Sequence, residues 1–217
     1  IISSNKNKTF YFIGVGKSGN VAKHISDLFK CISIKSIYLN ILNLTHGDLG
    51  CIDEDDFVFI FSRSGNTQEL LNCVEYLKGT LFLFCSNNKS KLKKYVNKVY
   101  QIPCQNELDI RFNLIPTNSI INNITYFNIL INLVIDKIDF SLEQYNQNHP
   151  KGNIGFLTKP LIDFVDKNVT TELEAEEDVL PIATDPVKML VEGCLEIISE
   201  EAIHYNFING GFYLPEF

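Results

Sequence analysis

The N-terminal half of the chain alternates between short unbroken apolar runs and longer stretches where apolar residues recur every three or four positions. Runs at 9–13, 36–40, 57–61, 81–84 and 99–102 predict buried strands, because a strand covered on both faces has no polar side to show. Between them the spacing predicts helices over 17–29 and 69–77 and a short basic helix over 89–95. Strand and helix alternating every ~20 residues predict a doubly wound parallel sheet with helices on both faces. After Pro103 the rhythm breaks. A loop over 103–116 precedes a helix predicted over 117–136, with Ile120, Ile121, Ile124, Phe127, Ile131 and Val134 on its apolar side, and 140–145 is helical in pattern. Farther on, 156–182 is irregular. Asp185 and Pro186 suit the N-cap and first turn of a helix, and Asn209-Gly-Gly211 suits a hairpin turn.

The strand at 57–61 runs into Ser62-Arg-Ser-Gly-Asn-Thr-Gln-Glu69, and a helical pattern follows. Three hydroxyls (Ser62, Ser64, Thr67) therefore stand between a strand end and a helix start, where free N–H groups suit a phosphate. Gly65 lets the backbone approach an anion closely. A plain N-cap is the other reading, but three hydroxyls exceed what a cap uses. The first strand leads into Gly14-Val-Gly-Lys-Ser-Gly19. Its glycines match GxGxxG by spacing, but no acidic residue ends the next strand to meet a ribose, and the Walker A spacing is missing. Lys17 reads as an exposed loop lysine or as a cation at the strand ends, where open α/β sheets bind ligands. His46, in Thr45-His-Gly-Asp-Leu-Gly50, reads as a turn residue held by Asp48 or as a ligand contact. His149, before Pro150, carries the same two readings.

Composition narrows the chemistry. The net charge is -7 and 45% of residues are hydrophobic. That argues for a well-filled core and against a nucleic-acid or membrane-surface binder, so any phosphate must be held locally. Six cysteines occur singly, without CxxC, which fits reduced thiols in a cytoplasmic protein. His24, His46, His149 and His204 have no metal-ligand spacing, so no metal is expected. No apolar run approaches the ~18 residues needed to span a bilayer, and the first eight residues have no signal-like apolar stretch.

Five motifs occur in register: Gly14-Val-Gly-Lys-Ser-Gly19, His46-Gly-Asp-Leu-Gly50, Ser62-Arg-Ser-Gly-Asn-Thr-Gln-Glu69, Pro116-Thr117 and His149-Pro-Lys-Gly152. Together they resemble the sugar isomerase (SIS) domain, most closely that of the arabinose 5-phosphate isomerases. The resemblance assigns 1–155 to that domain and leaves 156–217 as a short C-terminal appendage, read as a degenerate partial CBS module. It implies a three-layer αβα sandwich of flavodoxin-like type around a five-stranded parallel sheet. It also implies cofactor-free interconversion of D-arabinose 5-phosphate and D-ribulose 5-phosphate through an enediol. Ser62, Ser64, Gly65 and Thr67 would hold the phosphate, with Ser18 and His46 as further substrate contacts. The acid–base residues would be Lys17, Glu69, Glu107 and His149. Glu69 or Glu107 would be the enediol base, His149 would open the ring, and Lys17 would stabilise the oxyanion.

The chain departs from the family pattern in places. Glu107 to Pro116 spans nine positions where the family has eight, and Leu108 occupies the strict position. The loop has either gained a residue or lost the glutamate. Asn66 stands where relatives often have Glu, and Lys151 replaces a glycine. Two other readings are an isomerase of another ketose phosphate and a non-catalytic sugar-phosphate sensor. The family also implies a homo-oligomer, a tetramer, with sites between subunits and the 117–136 helix as a packing face.

Overall fold

The computed structural model describes residues 1–151. The chain divides into two compact units, Ile1–Asn148 and His149–Phe217. The expectations for 156–217, including the helix from Asp185, the hairpin and the CBS-like piece, lie outside the described residues.

Five strands form the first unit's sheet: β1 (Phe10–Gly14), β2 (Ser36–Asn40), β3 (Phe57–Phe61), β4 (Thr80–Cys85) and β5 (Lys98–Gln101). All pairs are parallel, in the order β2-β1-β3-β4-β5. The helices are α1 (Lys17–Cys31), α2 (Ile41–Leu44), α3 (Gln68–Cys73), α4 (Asn118–Ile138) and α5 (Leu142–Asn148). The unit is thus the flavodoxin-like αβα sandwich that the strand–helix alternation predicts.

The apolar runs form strands because both faces of the sheet are covered. Side chains alternate across the sheet, and the sequence uses that alternation to sort them by type. Phe10, Phe12, Phe59, Phe61, Phe82 and Phe84 fall on one face, against Val21, Ile25 and Phe29 of α1 and Phe127 and Val134 of α4. Ile13, Val58, Ile60, Leu81 and Leu83 fall on the other, against Leu44 of α2, Leu70 and Cys73 of α3, and Ile52 and Leu92 from the connecting segments. Phe127 is fully buried, with its ring 4.9 Å from that of Phe84 and 5.3 Å from that of Phe61. Each such side chain contributes about 1.5–3 kcal/mol on burial.

Two helices are shorter than predicted. α3 ends at Cys73, and a 3-10 turn (Val74–Tyr76) replaces its last part. The basic helix expected over 89–95 is reduced to a 3-10 turn, Leu92–Tyr95. Its first residues are engaged instead with the loop after β3: the Ser90 hydroxyl and the Leu92 N–H both donate to the Gly65 carbonyl, and the Lys91 N–H to the Asn66 side chain.

The chain leaves β1 toward α1 on the aromatic face, and leaves β3 toward α3 on the aliphatic face. The order reverses between these neighbouring strands. In open parallel sheets a crevice opens at this point, at the carboxyl ends of the strands. The two glycine- and hydroxyl-containing loops flank it.

Candidate active site

The loop after β3 is braced without any ligand. Ser62 is buried, and its Oγ lies 2.8 Å from Thr67 Oγ1 and accepts from the Gly65 N–H at 3.1 Å. The Ser64 hydroxyl accepts from the Asn66 N–H. The loop after β4 holds it from outside: the Asn87 amide donates to the Ser64 carbonyl at 3.0 Å, and the Ser90 hydroxyl to the Gly65 carbonyl at 2.9 Å. Gly65 has φ 62°, and a Cβ there would stand 2.0 Å from Ser90 Oγ, so no side chain fits. α3 is only a helix of six residues, so its dipole adds little at this loop. Glu69 lies in the first turn of α3, exposed, and no hydrogen bond or ion pair holds it among the described residues.

In the loop after β1, Gly14 allows α1 to begin directly against the strand end. A Cβ on Gly14 would come within 2.7 Å of the Ser18 carbonyl group. Lys17 is the first residue of α1 and is exposed; Ser18 is half-buried. His46 follows α2 and is exposed. Among the described residues no hydrogen bond or ion pair joins its side chain to Asp48, so the expected His46–Asp48 pair does not form.

The loop after β5 buries Glu107. Glu107 is 4% exposed and sits at the start of α4. Its Oε2 accepts from the backbone N–H groups of Thr117 at 2.9 Å and Ser119 at 3.0 Å and from the Thr117 hydroxyl at 3.3 Å. Its Oε1 meets Arg63 Nε at 3.1 Å. Burial pushes the carboxyl up, but hydrogen bonds from Ser119 and Thr117 and the charge of Arg63 outweigh it and hold the group at about 2. Helix N-termini favour this arrangement. Leu108 is 61% exposed. Over 108–115 the loop is held by Asp109, which accepts from the N–H groups of Arg111, Phe112 and Leu114.

The structure thus ties the loop after β3 to the loops after β4 and β5, with the Arg63–Glu107 pair as the link to the latter. Lys17 and Ser18, at the start of α1, and His46, in the loop after α2, share no hydrogen bond with it among the described residues. His149 opens the second unit. Arg63, Asn87, Ser90 and Ser119 are structural partners that motif reading passed over. An arginine inside a hydroxyl-rich loop was the available signal for Arg63. Asn87, Ser90 and Ser119 had none, because their partners are distant in sequence. A separate apolar cavity of about 340 Å³ lies on the aromatic face, lined by Ile2, Phe59, Phe82, Tyr126 and Val134 among others. None of the loop residues above lines it.

A doubly wound parallel sheet with a braced, hydroxyl-rich loop at its switch point places the chain among the open α/β sheet proteins. The SIS domain model matches residues 4–133, and the chain belongs to the SIS domain family. An uncharacterized protein of Chlamydia pneumoniae is 38% identical over 148 residues, covering 67% of this chain and 45% of that protein. The arabinose 5-phosphate isomerase KpsF of Escherichia coli O6:H1 is 30% identical over 145 residues, covering 65% of this chain and 44% of that protein. The chain therefore spans under half the length of these relatives. Among solved structures, an E. coli CFT073 protein in complex with arabinose 5-phosphate superimposes with TM-score 0.65 at 26% identity, covering 69% of this chain and 80% of that one. No helix among the described residues is long and apolar enough to cross a membrane.

Proposed function

We propose that this chain is the isomerase domain of an enzyme that interconverts D-arabinose 5-phosphate and D-ribulose 5-phosphate. The observation that carries the reading is the braced loop Ser62–Thr67 beside a fixed carboxylate, Glu107, at the carboxyl edge of the sheet. The arabinose 5-phosphate isomerase relative and the sugar-phosphate complex of the E. coli structure support it. The phosphate sits on Ser64, Thr67 and the loop N–H groups around Gly65, with Ser18 and His46 contacting the sugar. Ser62 is buried and supports the loop from within.

His149 assists ring opening. A base then takes the C2 proton of the open aldose, and the C1 carbonyl oxygen becomes an enediolate oxygen stabilised by Lys17. Reprotonation at C1 and transfer of the O2 proton to O1 give the ketose, so no cofactor and no net proton are consumed. Of the two carboxylates, Glu69 is the base: it is exposed and unengaged. Glu107 is a weak base because three donors and Arg63 already hold its charge.

A second copy of the chain completes the site in a homotetramer. Leu108, Ile110, Phe112, Leu114 and Ile115 are exposed directly after Glu107, and Ile121, Ile129 and Leu133 are exposed on α4. Apolar exposure on this scale favours a protein interface. The enzyme acts in the cytoplasm, a reading that the five free cysteines among the described residues support.

The test is turnover of D-arabinose 5-phosphate to ribulose 5-phosphate by wild type and Glu69→Gln. Turnover in wild type and its loss by ~10²-fold or more in the variant is the expected result for a general base. Tight sugar-phosphate binding without turnover would replace this reading with the sensor reading.

A further inference from the structure

We propose that Arg63 is a positioning residue: it fixes the Glu107 carboxylate to the phosphate loop, so that the loop and the start of α4 act as one rigid piece. Arg63 lies between the two loop serines, and its backbone carbonyl accepts from the Ser86 N–H at the end of β4 at 3.0 Å. Its backbone is therefore tied to the sheet while its side chain reaches the loop after β5. Nε stands 3.1 Å from Glu107 Oε1.

That oxygen is fully buried and accepts no well-formed hydrogen bond, so the charge of Arg63 is what holds it. The opposite oxygen carries all three of the carboxylate's hydrogen bonds. Each end of the carboxylate thus has one anchor, α4 on one side and the phosphate loop on the other. Among the described residues Arg63 is the one charged group facing Glu107. Asp109, two positions on, is turned to the N–H groups of its own loop. A buried carboxylate with one oxygen deserted is strongly disfavoured, so removing Arg63 frees Glu107 to reorient. The phosphate loop itself is braced by Ser62, Asn87 and Ser90, and it keeps its shape without the arginine side chain.

This inference rests on the isomerase reading only for its turnover readout. The test is a cycle of Arg63→Met, Glu107→Gln and the double variant, with Arg63→Lys as the conservative control. In Arg63→Met, kcat falls ~10-fold or more while KM stays within about threefold, because the loop that leads into Glu69 keeps its own shape but is no longer held to the start of α4. Arg63→Lys recovers part of the loss, because it keeps the charge without the planar fork. On the Glu107→Gln background, Arg63→Met changes kcat less than about twofold, as expected of residues acting as one unit.

The second readout needs no turnover: hydrogen exchange of the Thr117 and Ser119 amides, both bonded to Glu107, quickens at least about threefold in Arg63→Met. If wild type has no isomerase activity, the proposed function fails and the exchange cycle alone decides this inference. Unchanged exchange overturns it. So do additive losses in kcat, or a rise in KM as large as the fall in kcat, which would make Arg63 a direct phosphate ligand.

Discussion

Gly65→Ala puts a defined atom in a defined place. The backbone there has φ 62°, and an alanine in that region costs about 1–2 kcal/mol. The new Cβ would also lie 2.0 Å from Ser90 Oγ and 2.3 Å from Ser90 Cβ. Ser90 is buried and donates to the Gly65 carbonyl, so it cannot swing away without breaking that bond. Overpacking of this kind costs about 1–3 kcal/mol, for a total of roughly 2–5 kcal/mol. In a unit of this size that is a fall in Tm of about 5–15 °C. Because Ser90 Cβ is itself within 2.3 Å, Ser90→Ala removes only part of the clash. Ser90→Gly removes both contacts and leaves only the Ser90 Cα, at 3.3 Å. On a Ser90→Gly background Gly65→Ala should therefore cost only the backbone part, about 1–2 kcal/mol. Thermal denaturation of the four proteins checks this, and calorimetry with inorganic phosphate shows whether loop binding is lost in parallel. Equal cost on both backgrounds would refute the argument that Ser90 is the obstruction.

Two shorter predictions concern titratable groups. Glu107 is held at about 2 in the folded chain, below the ordinary carboxylate value of 4.5. The stability it adds is therefore complete above about pH 4.5 and is lost as pH falls toward 2. The stability gap between wild type and Glu107→Gln should be flat near neutrality and close over that window; a gap that widens on acidification would contradict the assignment. Burial pushes the Cys73 thiol up to about 11, whereas Cys51 is exposed. Iodoacetamide at pH 8 should alkylate Cys51 and spare Cys73 until the chain unfolds, as peptide mass spectrometry would show.

The sheet was readable from sequence because each strand is an apolar run bounded by polar or glycine residues. β2 and β3 match their predicted limits, β1 and β5 shift by a residue, and β4 is one residue longer at each end. Errors fell where tertiary bonds compete with local preference. Residues 89–91 carry a helical pattern, but Ser90 and Lys91 are committed to Gly65 and Asn66. Glu107 and Leu108 could not be told apart by counting positions. The burial of Glu107 depends on two backbone donors ten and twelve residues away, which no local pattern shows. Arg63–Glu107 was invisible for the same reason: 44 positions separate the partners (107 − 63), and neither shows a periodic pattern.

The sorting of phenylalanines to one face of the sheet and aliphatics to the other has a consequence for how the chain finds its pairing. Parallel strands meet late, since long crossovers must close first. In a sheet of uniform Val and Ile, a strand displaced by one residue would still look apolar on both sides. Here Phe10 aligns with Phe57, Phe12 with Phe59 and Phe59 with Phe82. A slip of one residue would turn a row of rings onto the aliphatic side and leave small side chains opposite Phe29 and Phe127. Both layers would then be the wrong thickness. The alternation acts as a proofreading device for assembly, penalising near-misses that hydrophobicity alone would accept.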